Sequence, residues 1–256
     1  MTDRRPASEP GYGFLFVGAK KTRGMREYWD ERARLNAVWY VDTSVDFANP
    51  DMAEFLRTGE KIVTDMLDQD PPALPSGREL AVEIGSGLGR ICLALSRRFD
   101  SVIGIDVSPE MVQRSRELVN DPRVRFEVGD GTTISPVAAG SADLVVSFTV
   151  FQHIPDPAMI EAYVSEAGRV LRRGGAFIFQ WDSRESPWSW KLGRAARILL
   201  QRSGIRREPF GRDAAEFLGS RVSRDRMARA VTSAGMDLVG TRGDPSLFTF
   251  GWALKR

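Results

Sequence analysis

The stretch on which the fold turns is LAVEIGSGLGR, residues 80–90. Five residues of strand character, LAVEI (80–84), run directly into a turn with glycine at 85, 87 and 89, and a helix-prone segment follows from 90 to 98. Glycine in such a turn permits positive φ and lets a ligand approach the backbone closely. The helix behind it presents its positive end to that ligand. The spacing is not the dinucleotide fingerprint G-x-G-x-x-G: counted from Gly85, the last position is Arg90, where a glycine or alanine belongs. It is G-x-G-x-G, led by an acid at Glu83.

Working outward, short β-like runs alternate with amphipathic helices. SVIGID (101–106) and VRFEV (124–128) read as strands, with Ser108, Pro109 and Glu110 opening a helix between them. ADLVVSF (142–148) is almost wholly apolar, as a strand buried on both faces should be. Pro155, Asp156 and Pro157 open a helix with Asp156 as its cap, and GAFIFQW (175–181) is a strand following a stop at 173–175. Upstream, residues 24–36 are helix-prone. A second helix starts at Asn49, Pro50 and Asp51, with either Asn49 or Asp51 as cap and Pro50 in its first turn, and carries Met52, Phe55, Leu56, Ile62, Val63, Met66 and Leu67 at helical spacing. Downstream, a helix over 225–234 precedes two strands, MDLVGT and SLFTFGWAL, joined by a turn too short for anything but antiparallel pairing. The pattern specifies an α/β fold: a parallel sheet with helices on both faces and a C-terminal antiparallel hairpin. Ligands of such sheets bind beyond the carboxyl ends of the strands. Asp106 and Asp130 follow the second and third strands there, placed to accept from ribose hydroxyls and from an adenine amino group.

The chain has 256 residues, 42% hydrophobic and 27% charged, enough for a real core and incompatible with wholesale disorder. No run approaches the ~18 apolar residues of a spanning helix, and the apolar stretch at 14–17 is too short for a signal-peptide core. The expected location is the cytoplasm. One cysteine, Cys92, and one histidine, His153, exclude an internal disulfide and the usual zinc sites. Cys92 falls on the apolar face of its helix, away from thiol chemistry. The net charge of +2 conceals an asymmetry: residues 184–229 hold twelve basic and five acidic side chains, so the remainder of the chain is acidic. Such a basic flap favours an anionic acceptor or surface, with a solvated face as the plain alternative.

The loop with its leading acid, GIDVSPEM (104–111), VGDG (128–131), the segment from ADLV to FQHIPDP (142–157) and RVLRRGGAFIF (169–179) stand in one order and spacing. From about residue 77 to the C-terminus they resemble the class I S-adenosylmethionine-dependent methyltransferases. The resemblance implies a Rossmann-like seven-stranded sheet, with residues 1–76 forming a flexible leader and helical cap and 77–256 the methyltransferase domain. It implies S-adenosyl-L-methionine as cofactor. Glu83, Gly85, Ser86 and Gly87 would lie along its methionine moiety, Asp106 at the ribose, Val107 and Met111 on either side of the adenine, and Asp130 with Gly131 at the adenine edge. Ser147 would lie near the sulfonium. The segment YWDERA (28–33) resembles a helix that closes over the cofactor in part of this superfamily, which makes Tyr28 and Trp29 lid contacts or plain cap packing.

His153 follows the fourth strand and has a side chain suited to proton transfer near neutrality; it is the expected base, the alternative being a brace for its loop. Gln152, Trp181 and Trp188 are the expected acceptor contacts. The motif that amino-methylating enzymes of nucleic acids carry after the fourth strand is replaced here by Ser147, Phe148, Thr149 and Val150. A small-molecule hydroxyl is therefore the expected acceptor, on a sugar, a natural product or a polar lipid head group, and no metal is expected. The basic insert over about 183–222, far longer than the usual ~2–6 residues, reads as a wall of the acceptor pocket, a packed helix or a peripheral membrane contact, the last not favoured. The competing readings are N-methylation, an RNA methyltransferase using that insert, and a cofactor-binding subunit without turnover. A nicotinamide oxidoreductase is disfavoured by Arg90 and Glu83.

Overall fold

Every segment with strand character pairs into one sheet in the order β3-β2-β1-β4-β5-β7-β6 in the computed structural model, which describes residues 19–69, 71, 73–184 and 219–256. The strands are β1 (Leu80–Ile84), β2 (Ser101–Asp106), β3 (Val124–Val128), β4 (Ala142–Ser147), β5 (Leu171–Trp181), β6 (Met236–Arg242) and β7 (Thr249–Lys255). The first five pair in parallel; β7 runs against both β5 and β6, so it alone opposes the common direction. The carboxyl ends of the other six strands therefore meet at one edge, with the turn after β6 beside them.

Strand alternation divides the core. Val82, Ile84 and Val145 pack on the face covered by α5 (Pro157–Val170) and α6 (Arg224–Ser233). Ala81, Leu144 and Val146 pack on the opposite face against α2 (Met52–Leu67) and α3 (Arg90–Leu95). Two glycines permit the closest helix contacts. A Cβ on Gly59 would lie 2.3 Å from the Arg90 carbonyl oxygen, and one on Gly168 2.3 Å from that of Ala234. Asp143 is fully buried where β1 begins; it accepts from the Glu79 and Leu80 amides and pairs with Arg172.

The caps follow the sequence closely. Ser108 caps α4 (Pro109–Leu118) and Asp156 caps α5, each followed by proline in the first turn. Asp51, not Asn49, caps α2 by accepting from the Ala53 and Glu54 amides, which leaves Pro50 outside the helix rather than in its first turn. The helix expected over 24–36 is α1 (Ala19–Val41), and the expected end at Asn36 marks a real break: its φ of −165° is extended. Asn36 Oδ1 accepts from the Trp39 amide and restarts the helix beyond it. The expected stop at 173–175 is instead part of β5, where the register against β4 shifts between Ala142 and Leu144 and Gly174 takes a φ of 74°. Residues 1–18, within which the expected flexible leader (1–13) falls, and most of the basic insert lie outside the described residues. No helix among the described residues is long and apolar enough to cross a membrane.

Candidate active site

A cavity of about 470 Å³ opens at the carboxyl edge, within the ~300–1,000 Å³ range of small-ligand sites. Its floor is the turn after β1. Gly85, Gly87 and Gly89 have φ of 73°, 50° and 80°, the left-handed region that only glycine adopts freely. The turn is held down by the amides of Gly85 and Ser86, which donate to the Ile105 carbonyl at 2.7 and 3.1 Å. A Cβ at Gly85 would meet Val150 Cγ2 at 2.3 Å, so the loop after β4 packs directly onto the bare backbone there. Ser86 lines the cavity, and its Oγ is buried with no hydrogen-bond partner among the described residues.

Two carboxyl groups beside the glycine turn, those of Glu83 and Asp106, line the same space. Asp106 ends β2, and its two oxygens accept from the amides of Gly87 and Ser108, each at 2.9 Å. Those bonds aim the carboxylate while leaving lone pairs free. Burial raises its pKa above the ordinary aspartate value. Glu83 is 2% exposed and accepts from Cys92 Sγ at 2.9 Å. Burial pushes its pKa to about 8, so the carboxyl is protonated at neutral pH with no ligand bound. A buried acid that strains against neutrality is poised to ionise beside a cation.

The wall over the strand ends comes from α1. Arg26 Nε donates to the Val107 carbonyl at 3.1 Å and its guanidinium also reaches the Gly129 carbonyl at 3.0 Å. One turn later Asp30 accepts from Ser108 Oγ and from the Glu110 amide at 3.1 Å, adding a carboxylate to the positive end of α4. The break after Asn36 then brings Val41, Asp42 and Thr43 to the cavity. Arg90 is buried at that end, pairing with Asp42, donating to Thr58 Oγ1 at 2.5 Å and lying over the Phe55 ring. Burial works to raise the Asp42 pKa, but hydrogen bonds from Ser44 and the Arg90 charge outweigh it and hold the carboxyl low. These residues carry no motif. The only local signal was the four-residue spacing of Arg26, Asp30 and Arg34 on one face of α1.

On the far side, Phe148, Thr149, Val150, Gln152 and His153 line the cavity after β4. Thr149 has a φ of 54°, strained for a residue with a side chain; its amide donates to Gln180 Oε1 at 3.2 Å. The His153 ring meets the Trp29 ring edge to face at 5.7 Å, so α1 reaches this wall too.

Of the expected site residues, Glu83, Gly85, Ser86, Gly87, Asp106, Val107, Met111, Gln152 and His153 line this one cavity. Met111 also packs into the core beneath α1, so its helical spacing served both purposes. Tyr28 does not line the cavity: it is buried with its hydroxyl accepting from Arg32 at 2.7 Å, and Trp29 takes the lining position. Asp130 and Gly131 stand outside it as well. Asp130 accepts from the Thr132 and Thr133 amides, a turn-forming role for which the VGDG pattern gives equal cause. Ser147 ends β4 fully buried and does not line the cavity. Trp181 corrects the expectation of an acceptor contact: it is fully buried in the core, with Nε1 donating to the Val222 carbonyl at 2.9 Å. An indole at a strand end satisfies its polar edge internally when a neighbouring chain offers a carbonyl. Trp188 lies outside the described residues.

A glycine turn and a strand-end acid on the carboxyl edge of a seven-stranded sheet define an α/β domain built for a nucleoside-bearing cofactor. Residues 82–179 match the family described as Methyltransferase domain. An uncharacterized transposon protein of Streptomyces fradiae is 37% identical over 157 residues, 60% of this chain and 42% of that protein. The 2-methyl-6-phytyl-1,4-hydroquinone methyltransferase of Synechocystis is 32% identical over 133 residues, 50% of this chain and 40% of the enzyme. The chain thus spans less than half the length of these curated relatives. Magnesium protoporphyrin IX methyltransferase from Synechocystis, solved with S-adenosylhomocysteine bound, shares the fold with a TM-score of 0.58 at 15% identity, over 91% of this chain and 99% of that one. Residues 82–179 thus resemble a methyltransferase domain, and the sheet around them has the fold of the solved S-adenosylhomocysteine-bound methyltransferase.

Proposed function

We propose that this chain moves a methyl group from S-adenosylmethionine to a hydroxyl of a small molecule, with His153 as the base. The observation that carries the reading is that the glycine turn, Glu83, Asp106 and His153 all line one cavity. The site fits the cofactor on its own chemistry: a bare glycine floor, an orphaned Ser86 hydroxyl, a ribose-type acid at Asp106 and a buried acid at Glu83. Glu83, Ser86 and the backbone of Gly85 and Gly87 would hold the amino-acid end. Asp106 would take the ribose hydroxyls, and Val107 and Met111 would flank the base.

When bound, S-adenosylmethionine supplies an electrophilic methyl on a positively charged sulfur. The work left to the protein is alignment and proton removal. The loop after β4 brings the acceptor to the cofactor side of the cavity, and the walls of α1 exclude water from it. His153 takes the proton that the hydroxyl loses as the new C–O bond forms. Release of S-adenosylhomocysteine against a metabolite extract tests the activity, and His153→Ala tests the base. We expect turnover to fall by about 100-fold or more with cofactor affinity nearly unchanged. An unchanged rate would remove His153 from the chemistry, and a chain that binds no S-adenosylmethionine would remove the whole reading.

A further inference from the structure

Gln152 is 3% exposed and lines the cavity, and its Oε1 is buried with no hydrogen-bond partner among the described residues. Its backbone is held firmly. The Gly219 position presses so close that a Cβ there would fall 1.8 Å from the Gln152 carbonyl oxygen, and the Ser220 amide donates to the Ile154 carbonyl at 2.8 Å. The backbone is therefore fixed, and the buried side chain carries an acceptor left over. Leaving such an oxygen unmatched costs about 1–3 kcal/mol, and native proteins seldom keep one without a use.

The cavity wall beyond Gln152 has the opposite character. Ile62 from α2, Phe148 after β4, and Leu247 and Phe248 from the turn after β6 line it. Phe248 is 51% exposed, so an aromatic ring stands at the mouth instead of in the core. Phe148 is itself braced by Phe250, ring centroids 5.9 Å apart. In the sheet order, this wall lies across β4 from the β2 and β3 ends where Asp106 sits, so it belongs to the acceptor and not to the cofactor.

We infer that the acceptor is a mainly apolar, ring-bearing molecule with two hydrogen-bond donors, one reacting at His153 and the other held by Gln152 Oε1. Both residues line the one cavity, so two groups of a single ligand can meet them. The apolar body lies against Phe148, Leu247 and Phe248, and a bare sugar would leave that wall unmatched. Gln152 positions the acceptor and selects it; it takes no proton. The inference rests on the methyltransferase reading of the same cavity.

The test is calorimetric binding of three probes to the protein loaded with S-adenosylhomocysteine: 2,3-dihydroxynaphthalene, 2-naphthol and glucose. The diol is expected to bind about tenfold more tightly than the single alcohol, and glucose not at all. Gln152→Leu is expected to abolish the preference for the diol while S-adenosylhomocysteine binds as before. Should that variant not fold, Gln152→Asn, which withdraws the oxygen by one methylene, is expected to weaken the same preference. Equal affinity for the two naphthols, a preference that survives Gln152→Leu, or tighter binding of glucose would each overturn the inference while leaving the methyltransferase reading intact. Failure of the first step, S-adenosylhomocysteine binding, would overturn both.

Discussion

Glu83→Gln tests the electrostatics of the site without altering its shape. The wild-type carboxyl titrates near 8 in the folded protein against an ordinary value of 4.5, because burial disfavours its charged form. The folded state therefore holds a proton across that window that the unfolded state has released. Stability is fully present below the unfolded value and drains away as pH rises toward the folded one, at about 1.4 kcal/mol per pH unit. Between pH 5 and 7 the loss amounts to roughly 3 kcal/mol at its ceiling. Glutamine cannot ionise, and its Oε1 can still accept from Cys92 Sγ. The variant should match the wild type at pH 5 and exceed it by ~5–10 °C in melting temperature at pH 7, given about 2–4 °C per kcal/mol for a chain of this size. With cofactor added the order should reverse, since the variant has no carboxylate to set against the cofactor's ammonium group. Thermal melts of both proteins at half-unit pH steps, with and without S-adenosylmethionine, make the measurement. Parallel melting curves from pH 5 to 7.5 in the free proteins would refute the argument, because the variant would then have removed no buried titration.

Two further expectations concern other parts of the same framework. Asp106→Asn keeps the size of the side chain but turns a donor toward the amide of either Gly87 or Ser108, both now bound to carboxylate oxygens. Cofactor affinity should fall by about tenfold or more by calorimetry, and an unchanged affinity would move the ribose elsewhere. Gly168→Ala should lower stability by about 1–3 kcal/mol in urea unfolding, because the new methyl would fall 2.3 Å from a backbone oxygen at the end of α6. Its cofactor affinity should stay put, and a midpoint equal to wild type would show that α5 and α6 can separate at no cost.

The parts of this molecule readable from sequence are those whose physics is local. A glycine turn, a serine or aspartate cap and a strand with two buried faces each advertise themselves within about ten residues. The antiparallel pairing of β6 with β7 followed because so short a turn leaves no other choice. What escaped depends on partners far along the chain. Arg26 meets Gly129 across 103 positions, and Arg90 meets Asp42 across 48. No periodicity links such pairs, so Arg90 entered the sequence reading only as a departure from the dinucleotide pattern. Its actual work is to fasten the loop after α1 to the helix that begins at the glycine turn. The misplacements have the same origin. Trp181 ends a strand at the cavity edge, but whether its ring faces ligand or core was decided by the carbonyl of Val222, 41 residues away. Asp130 follows the third strand as an adenine-binding acid would, yet its carboxylate closes its own turn. Chain position alone could not separate these roles. The cofactor half of the site sits on strand ends whose geometry the fold dictates, and so was open to sequence reading. The wall proposed for the acceptor is assembled from α2, the loop after β4 and the turn after β6, which meet only in three dimensions. That is why the sequence pointed only as far as a sugar, a natural product or a polar lipid head group, while the cavity wall, once assembled, is lined by Phe148, Leu247 and Phe248.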